Sequence, residues 1–382
     1  MFDVSACGRL GLGLALLWCL DTAGASTPPP CNPAELAYVG TDGSGIWTFR
    51  FDACAGTLTG LGQTADAKKP RWLLKHPQLP VLYVAAEGAQ TDGRVFAYAI
   101  AEHTGGLNPM GDASAGGAGT THLWLDAPSM TLLAANFGTG STSSLTLHTD
   151  GRPGVLVSSI QAYGSGPHRR QASPHAHGIA VDRTGRHALV ADMGADRVFV
   201  YGFNRSTRSL AADWPNVQRA YQAPAGSGPR RAVFSATGHM VYVLSELSAE
   251  ITALRWDSTL GSLEAVQTLP LTTPGFEGVK SASELAPSRD GRFVYAGNRG
   301  ENQILVYRAD ADSGELELVQ RHPSGGDVPW AFDIHPSGQW MLVAHHRSQR
   351  LSLHRIDKTS GRLSDTGVTL DVPAPVSVLF VN

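Results

Sequence analysis

The sequence predicts an all-β fold, a seven-bladed β-propeller in a single domain. Three observations support this prediction: a repeat of about fifty residues, short strands in fours within each repeat, and a chain that ends on one unpaired strand. A repeat of this length with four strands is typical of a propeller blade, whereas the repeats of a β-solenoid are normally shorter. An eighth blade would need another repeat, and we find none in the sequence.

The repeat is clearest in its first two strands. Each copy has a short apolar run, a turn, usually with glycine, and a second apolar run that ends in a polar residue. The clear copies are HGIAVDRTGRHALVAD (177–192), RRAVFSATGHMVYVLS (230–245), SELAPSRDGRFVYAGN (283–298) and WAFDIHPSGQWMLVAH (330–345). Weaker copies with the same residue count are RWLLKHPQLPVLYVAA (71–86) and THLWLDAPSMTLLAAN (121–136). Several copies are followed by a clear third strand, as in RVFVYGFN (197–204).

The two ends of the chain complement each other. The first hairpin, residues 36–51, supplies only the second and third strands of a unit. The last residues, PVSVLFVN (375–382), supply a first strand with no second strand after it. Pairing both ends in one blade closes the ring and leaves no open sheet edge. We therefore count seven blades, closed by pairing of the N- and C-terminal strands.

The N-terminus predicts export to the periplasm or the cell exterior. Arg9 precedes the apolar run 10–20, and the small residues 23–25 fit a cleavage site, as in a secretory signal peptide. We expect residues 1–25 to be this signal, 26–34 a short segment, and 35–382 the propeller domain. The apolar run is shorter than the ~20 residues that span a membrane, so a membrane anchor is the less favoured alternative.

Cysteine usage agrees with an oxidising compartment. Cleavage after residue 25 removes Cys7 and Cys19 and leaves Cys31 and Cys54. Folding about the turn 41–45 brings residue 54 opposite roughly residue 32. We therefore predict a Cys31–Cys54 disulfide that staples the N-terminal hairpin, with two unrelated thiols as the alternative.

Composition excludes several classes of function. The net charge is −3 with acidic and basic residues intermixed, so the chain has no basic face for nucleic acid. The hydrophobic fraction of 42% permits a large core. We find neither a strand-to-helix glycine-rich phosphate cradle nor a G-x-S-x-G elbow. We expect a monomer without cofactor, and no stable membrane span after cleavage.

The repeat register predicts which side chains meet. The first strand of each unit begins at one face of the disc, and the second strand ends at the same face. The first residue of strand one (the start position) and the residue after strand two (the return position) therefore lie at the same mouth of the channel. The start positions are Arg71, Thr121, His177, Arg230, Ser283 and Trp330, and the return positions are Glu87, Phe137, Met193, Glu246, Arg299 and His346. Consecutive blades contribute the ionisable groups His177, Arg230, Glu246 and Arg299. This set predicts a site for an anionic, oxygen-rich small molecule.

The stretch SPHAHGIAVD (173–182) contains two histidines, and the register separates them. His177 faces the channel, whereas His175 lies one step out in the loop, as a neighbour that tunes or covers the site. With His122 in the adjacent blade, a three-histidine metal site is a second interpretation. No carboxylate with ligand-like spacing joins the histidines, so we expect no metal. Arg231 follows Arg230, and strand alternation should turn it away from the channel.

Three segments carry a resemblance to a known family: PHAHGIAVDRTGRHALVADMGADRVFVY, GPRRAVFSATGHMVYVLSELS and SELAPSRDGRFVYAGNRGENQILVY. They resemble the seven-bladed propeller lactonase family, which includes bacterial 6-phosphogluconolactonase and the fungal carboxy-muconate cycloisomerase. The resemblance implies a site with a histidine at the start of an inner strand, an arginine in G-P-R, a glutamate in the N/S-E-L turn and an arginine in N-R-G. In this sequence these are His177, Arg230, Glu246 and Arg299.

The resemblance implies a lactone hydrolase. Opening a lactone requires an activated water, stabilisation of negative charge on the carbonyl oxygen, and a proton for the departing alkoxide. We expect His177 and Glu246 to act as base and acid, in either order, and Arg230, Arg299 and His175 to bind a small anionic or polyhydroxy lactone. Phosphorylated sugar lactones belong to the cytoplasm, so for an exported protein an unphosphorylated lactone is an equal expectation. A cycloisomerase acting on a muconate-type diacid and a non-catalytic propeller binding a ligand or an envelope partner are the alternatives.

Overall fold

The computed structural model describes residues 35–87, 92–212 and 219–381. The predicted signal peptide (1–25), the segment 26–34 and Cys31 lie outside the described residues. The described residues form strands and one short 3-10 helix, arranged as seven antiparallel blades around a channel. No helix in these ranges has the length and apolar character of a membrane span.

The blades are numbered in chain order, except that blade one also contains the last strand of the chain. The strands of each blade are given from the channel outwards. Blade one contains β28 (Pro375–Val381), β1 (Glu35–Thr41), β2 (Ser44–Asp52) and the first part of β3 (Thr57–Lys75); blade two contains the second part of β3, then β4 (Val81–Glu87), β5 (Asp92–Ala101) and β6 (Gly106–Ala118). Blade three contains β7 (Thr120–Asp126), the 3-10 helix Ala127–Ser129, β8 (Thr131–Asn136), β9 (Ser141–Leu147) and β10 (Pro153–Gln161). Blade four contains β11 (Ala176–Val181), β12 (His187–Asp192) and β13 (Arg197–Asn204), to which β14 (Ser209–Ala211) and β15 (Ala220–Gln222) both pair.

Blades five to seven are regular four-stranded sheets. Blade five contains β16 (Pro229–Phe234), β17 (Met240–Ser245), β18 (Glu250–Asp257) and β19 (Ser262–Pro270). Blade six contains β20 (Ala282–Pro287), β21 (Phe293–Asn298), β22 (Gln303–Ala309) and β23 (Leu316–Pro323). Blade seven contains β24 (Pro329–Ile334), β25 (Trp340–His345), β26 (Arg350–Ile356) and β27 (Leu363–Asp371).

The innermost strands form a closed ring. Each contacts the innermost strand of the next blade, in the order β28, β3, β7, β11, β16, β20, β24 and back to β28. In blade one the C-terminal β28 pairs antiparallel with β1, with Leu36 opposite Val381. The prediction of seven blades closed by the two ends of the chain is therefore confirmed.

The hydrophobic core lies between the blades. It consists of seven clusters, one at each interface between adjacent blades. At the closing interface, for example, Phe51 and Phe380 of blade one pack against Trp340 of blade seven. Because both faces of each blade are covered by neighbours, successive residues of a central strand are buried in opposite directions. This explains why the second strands, such as β25 with all six residues buried, read as continuous apolar runs.

The N-terminal hairpin has the register that the disulfide prediction assumed. Glu35 pairs with Phe51, the same register in which residue 54 is expected opposite residue 32. Cys54 is exposed and forms no disulfide within the described residues. Since Cys31 lies outside them, the Cys31–Cys54 bond stays a prediction.

Candidate active site

An interruption of the pairing occurs near the start of each innermost strand. In β11 the pairing with β12 shifts at His177, and in β16 the pairing with β17 shifts at Arg230. The other five innermost strands have a shift near the corresponding place. Such β-bulges break the two-residue alternation of a strand and re-aim its side chains. The start of each innermost strand can therefore turn consecutive side chains towards the channel.

A cavity of about 310 Å³ is lined by residues from the start of these innermost strands. Its walls include the start-position residues Arg71, Thr121, His177, Arg230 and Trp330 and the return-position residues Glu87, Phe137, Glu246 and Arg299. Ser283, Met193 and His346, which share those positions, do not line it. The structure thus brings His177, Arg230, Glu246 and Arg299 into one cavity.

Glu246 is the centre of an ion-pair cluster. Its side chain is 3% exposed, and Oε2 accepts a hydrogen bond from Arg230 Nη1 at 2.8 Å. Oε1 lies 3.0 Å from Arg299 Nη2 and accepts a hydrogen bond from Arg170 Nη1 at 2.7 Å. Because one carboxylate faces three guanidiniums, the cluster carries an excess of positive charge. In a buried setting this excess favours a ligand or a transition state with negative charge.

His177 lies beside this cluster. Its Nε2 accepts a hydrogen bond from Arg230 Nη1 and lies 4.0 Å from Glu246 Oε2. The strands β11 and β16 approach closely here, since a Cβ atom on Gly178 would lie 2.7 Å from the carbonyl oxygen of Arg230. The glycine after His177 therefore lets blades four and five bring imidazole and guanidinium together.

Burial and charge shift the pKa values of these groups. Burial, reinforced by the guanidinium of Arg230, holds the pKa of His177 well below its ordinary value, although Glu246 acts in the opposite direction. Burial raises the pKa of Glu246, but the surrounding guanidiniums, that of Arg299 above all, outweigh burial and hold it well below its ordinary range. Burial lowers the pKa of Arg230 to about 10. At neutral pH the site therefore contains a neutral imidazole, an ionised carboxylate and charged guanidiniums.

His175 lies outside the cavity walls. Its Nδ1 forms a hydrogen bond with the carbonyl oxygen of Phe137 at 2.8 Å, and the two rings stack at 4.4 Å between centroids. Its backbone N–H donates to Asp192 at 2.8 Å. Phe137 in turn packs edge-on against His177. This position makes His175 a support for the wall beside His177. Its predicted contact with substrate stays a prediction.

The prediction that Arg231 turns away from the channel is wrong. Arg231 lines the cavity, pairs with Glu284 through two hydrogen bonds of 2.6 and 2.9 Å, and lies 4.1 Å from the ring centroid of Trp72. The bulge at Arg230 is the physical reason, because it breaks the alternation on which the prediction depended. Glu284 and Trp72, which sequence reasoning missed, also line the cavity and also come one residue after a start position.

Arg170 also lines the cavity, and sequence reasoning missed it as well. It lies in the loop between β10 and β11, and its side chain, 45% exposed, reaches Glu246. The neighbouring Gln171 is fully buried and donates to the carbonyl oxygen of Met193 at 2.8 Å and to Asp196 at 2.6 Å, so the backbone beside Arg170 is held in place. The only signal in the sequence is a basic pair, Arg169 and Arg170, and a loop has no strand register to predict where such a pair points.

Buried nitrogen atoms of the lining residues retain unused hydrogen-bonding capacity. His177 Nδ1, Arg231 Nη1 and Arg299 Nε have no hydrogen-bond partner within residues 35–87, 92–212 and 219–381. Buried polar atoms are normally hydrogen-bonded, so an oxygen-rich ligand is suited to this cavity.

The three histidines of the metal interpretation have other partners. His122 Nδ1 accepts a hydrogen bond from the backbone N–H of Ile179 at 3.2 Å, and its ring packs on Trp72. His175 bonds to the backbone of Phe137, and His177 bonds to Arg230. Across the described part of the chain, no three His, Cys, Asp or Glu side chains are grouped as metal ligands.

Known proteins resemble this chain along almost its whole length. A family model described as "Lactonase, 7-bladed beta-propeller" matches residues 36–380. The 6-phosphogluconolactonase of Bacillus subtilis is 28% identical over 351 residues, which cover 91% of this chain and 98% of that protein. The 6-phosphogluconolactonase of Cronobacter sakazakii is 29% identical over 316 residues, or 82% of this chain and 88% of that protein.

Solved structures give the same result. The periplasmic gluconolactonase PpgL of Pseudomonas aeruginosa superposes with a TM-score of 0.84 at 31% identity, over 91% of this chain and 99% of that one. A putative 6-phosphogluconolactonase from Bacteroides fragilis superposes with a TM-score of 0.83 at 26% identity, over 93% of this chain and 100% of that one. With the family model matched from the first described strand to the last, this chain belongs to the lactonase family of seven-bladed β-propellers.

Proposed function

We propose that the protein hydrolyses a small sugar-type lactone in the cavity at the channel mouth. The observation that carries the proposal is the cluster of one carboxylate and three guanidiniums beside a neutral histidine, all lining the same cavity. This set of groups offers what ester hydrolysis needs: a base for water, positive charge for the oxyanion, and a proton donor for the leaving group.

The guanidiniums stabilise the charge that develops on the carbonyl oxygen. Arg230 and Arg299 are almost fully buried, so their interaction with an oxyanion is weakly screened. Arg230 already donates to the carbonyl oxygen of Ser283, and Arg299 Nη2 donates to that of Ala282 at 2.7 Å. These backbone contacts hold both side chains in position before substrate arrives.

His177 acts as the base and then as the acid. Arg230 can only donate, so Nε2 of the neutral ring carries the lone pair and Nδ1 carries the proton. The carbonyl oxygen of the substrate takes over the hydrogen bond of Arg230 Nη1, while the contact of Arg230 with the backbone of Ser283 is kept. The freed Nε2 then takes a proton from water, and the hydroxide attacks the carbonyl carbon. The tetrahedral intermediate breaks its bond to the ring oxygen, and the imidazolium returns the proton to the departing alkoxide. The product is a hydroxy acid, whose carboxyl group loses its proton to solvent at neutral pH and becomes a carboxylate.

Glu246 remains ionised throughout this reaction. Its pKa lies well below the ordinary range, so it is a weak base and has no proton to donate at neutral pH. Its Oε2 lies 4.0 Å from His177 Nε2, a position from which it stabilises the imidazolium. The role of Glu246 is therefore to hold the guanidiniums and to support the charged form of His177.

The relatives and the sequence together suggest the substrate class and the compartment. The names 6-phosphogluconolactonase and gluconolactonase both denote enzymes for an aldonolactone, so we infer an aldonolactone substrate. A structural neighbour described as periplasmic supports the export that the segment 1–25 predicts. The signal peptide, the 35–382 domain bounds and the monomeric state stay predictions.

Purified protein assayed against a lactone panel, with and without a chelator, tests this proposal. The panel contains D-glucono-δ-lactone, its 6-phosphate and a muconate-type diacid that reports isomerisation by its ultraviolet absorbance. We expect lactone hydrolysis that survives the chelator and falls by at least about 10²-fold in His177→Ala and in Glu246→Gln.

His148→Ala is the matched control, since His148 is exposed in the turn between β9 and β10. It should retain full activity, and circular dichroism should show the same fold in all variants. Intact hydrolysis in both His177→Ala and Glu246→Gln would refute the mechanism. Turnover of the diacid without lactone hydrolysis would indicate an isomerase, and no turnover at all would indicate a binding protein.

A further inference from the structure

Arg170 differs from the other cations around Glu246 in its exposure. The side chains of Arg230 and Arg299 are 5% and 7% exposed, whereas that of Arg170 is 45% exposed. Arg230 and Arg299 also donate to backbone carbonyl groups, which fixes their guanidiniums. The guanidinium of Arg170 is held by its bond to Glu246 at 2.7 Å.

A ligand can replace the bond between Arg170 and Glu246 more readily than the bonds of Arg230 and Arg299. A half-exposed guanidinium recovers hydration when it leaves its partner, which offsets part of the lost interaction, whereas a buried guanidinium recovers none. Glu246 keeps Arg230 and Arg299 as partners, so no buried charge is left unpaired. The backbone stays in place meanwhile, because the buried Gln171 anchors the loop beside Arg170.

We propose that Arg170 is a mobile anion-binding residue, whose guanidinium exchanges Glu246 for an oxyanion of the ligand. The oxyanion is either the carboxylate of the ring-opened acid or a phosphate carried by the substrate. The first source rests on the proposed function, since hydrolysis converts a neutral lactone into a carboxylate inside a cluster with excess positive charge. In either case Arg170 connects the buried cluster to the solvent at the mouth of the cavity.

Isothermal titration of the purified protein with sodium gluconate, and separately with inorganic phosphate, tests this inference at constant ionic strength. We compare the wild type with Arg170→Gln and with the matched control Arg169→Gln. Arg169 is the exposed neighbour in the same loop, so both variants lose one positive charge. We expect Arg170→Gln to weaken binding of at least one probe by about tenfold or more, the usual effect of losing a hydrogen bond between charged groups. Arg169→Gln should bind within about twofold of the wild type.

The affected probe identifies the source of the oxyanion. Loss with gluconate indicates the product carboxylate, and loss with phosphate alone indicates a phosphorylated substrate. The inference is overturned if the wild type binds neither probe, if Arg170→Gln binds both as the wild type does, or if Arg169→Gln loses as much affinity as Arg170→Gln. Arg170-dependent binding without lactone turnover would refute the proposed function alone, whereas turnover with binding unchanged in Arg170→Gln would refute this inference alone.

Discussion

At the scale of single residues, the proposed chemistry depends on the protonation states that burial and neighbouring charges give to His177 and Glu246. The carboxylate is surrounded by guanidiniums and stays ionised, whereas the imidazole is buried against a guanidinium and stays neutral. The residue types predict only that both groups are able to exchange protons. The three-dimensional surroundings assign the proton transfers to His177 in the proposed mechanism.

This assignment predicts an unusual pH dependence. The base must be neutral, and burial with Arg230 favours the neutral form, so the pKa of His177 is lowered. As the pH falls through about 6.5, the ordinary pKa of histidine, kcat/KM should stay constant, and it should decline only at lower pH. The measurement is kcat/KM against pH for a neutral lactone, corrected for uncatalysed hydrolysis.

Two arginine variants test whether Arg230 is a cause of the lowered pKa of His177. In Arg230→Gln the acid limb of the profile should move to higher pH, because a cation that lowers the pKa of His177 is gone. In Arg299→Gln the limb should stay in place, since Arg299 pairs with Glu246 and not with His177. An acid limb centred near 6.5 in the wild type, or one that does not move in Arg230→Gln, would contradict the role of His177.

At the scale of secondary-structure elements, tyrosine hydroxyls connect adjacent blades. In blades one, two, five and six, a tyrosine on the second strand donates to a glycine carbonyl in a turn of the next blade. These bonds are Tyr38–Gly105 (3.1 Å), Tyr83–Gly151 (2.9 Å), Tyr242–Gly314 (3.1 Å) and Tyr295–Gly361 (2.9 Å). The acceptor glycines have positive φ angles, a conformation that glycine adopts without steric cost. The pairs therefore link the tight turn between the outer strands of one blade to the middle of its neighbour.

Removing one of these bonds should destabilise the ring. Tyr242→Phe leaves the carbonyl of Gly314 without its donor, so we expect the free energy of unfolding to fall by about 1–2 kcal/mol. Urea denaturation followed by tryptophan fluorescence measures the change.

Tyr307→Phe is the matched control for this prediction. Tyr307 is buried in the same cluster between blades five and six, but its hydroxyl has no hydrogen-bond partner in the described parts of the chain. Its replacement should cost less than that of Tyr242, or increase stability, because an unpaired buried hydroxyl is removed. Equal losses in the two variants would mean that the bond to Gly314 contributes nothing specific.

At the scale of the whole molecule, blade one joins the two ends of the chain. The C-terminal β28 is its innermost strand, and β1 and β2 are the next two strands outwards. The turn after β2 carries Cys54, whose side chain is exposed. A covalent link at this turn would reinforce the blade in which the ring closes.

The predicted Cys31–Cys54 disulfide is tested on protein isolated from the exported fraction. Peptide mass spectrometry without reduction should detect the peptide with Cys31 linked to that with Cys54. In the chain-entropy picture, Cys54→Ser should lower the free energy of unfolding by about 3 kcal/mol, and reductant should lower it similarly in the wild type only. Alkylation of Cys54 in the unreduced protein would contradict the prediction.

The sequence by itself determined the ring and the residues around its mouth. Seven blades, the closure by 375–382, and the shared cavity of His177, Arg230, Glu246 and Arg299 follow from a repeat that keeps its residue count. Such a pattern is local, because each strand and turn is encoded in adjacent residues. Since the number of residues from the start of the first strand to the end of the second is constant, equivalent residues of different repeats lie at equivalent positions in their blades.

Only the tertiary structure decided how the cavity is completed. Arg231, Glu284 and Trp72 reach it because the pairing of the innermost strands shifts at their start, and an alternating pattern contains no sign of that shift. Arg170 meets Glu246 across 76 residues of sequence, from a loop placed by the buried contacts of its neighbour. These contacts depend on the packing of separate blades against each other, and the repeat within each blade does not encode that packing.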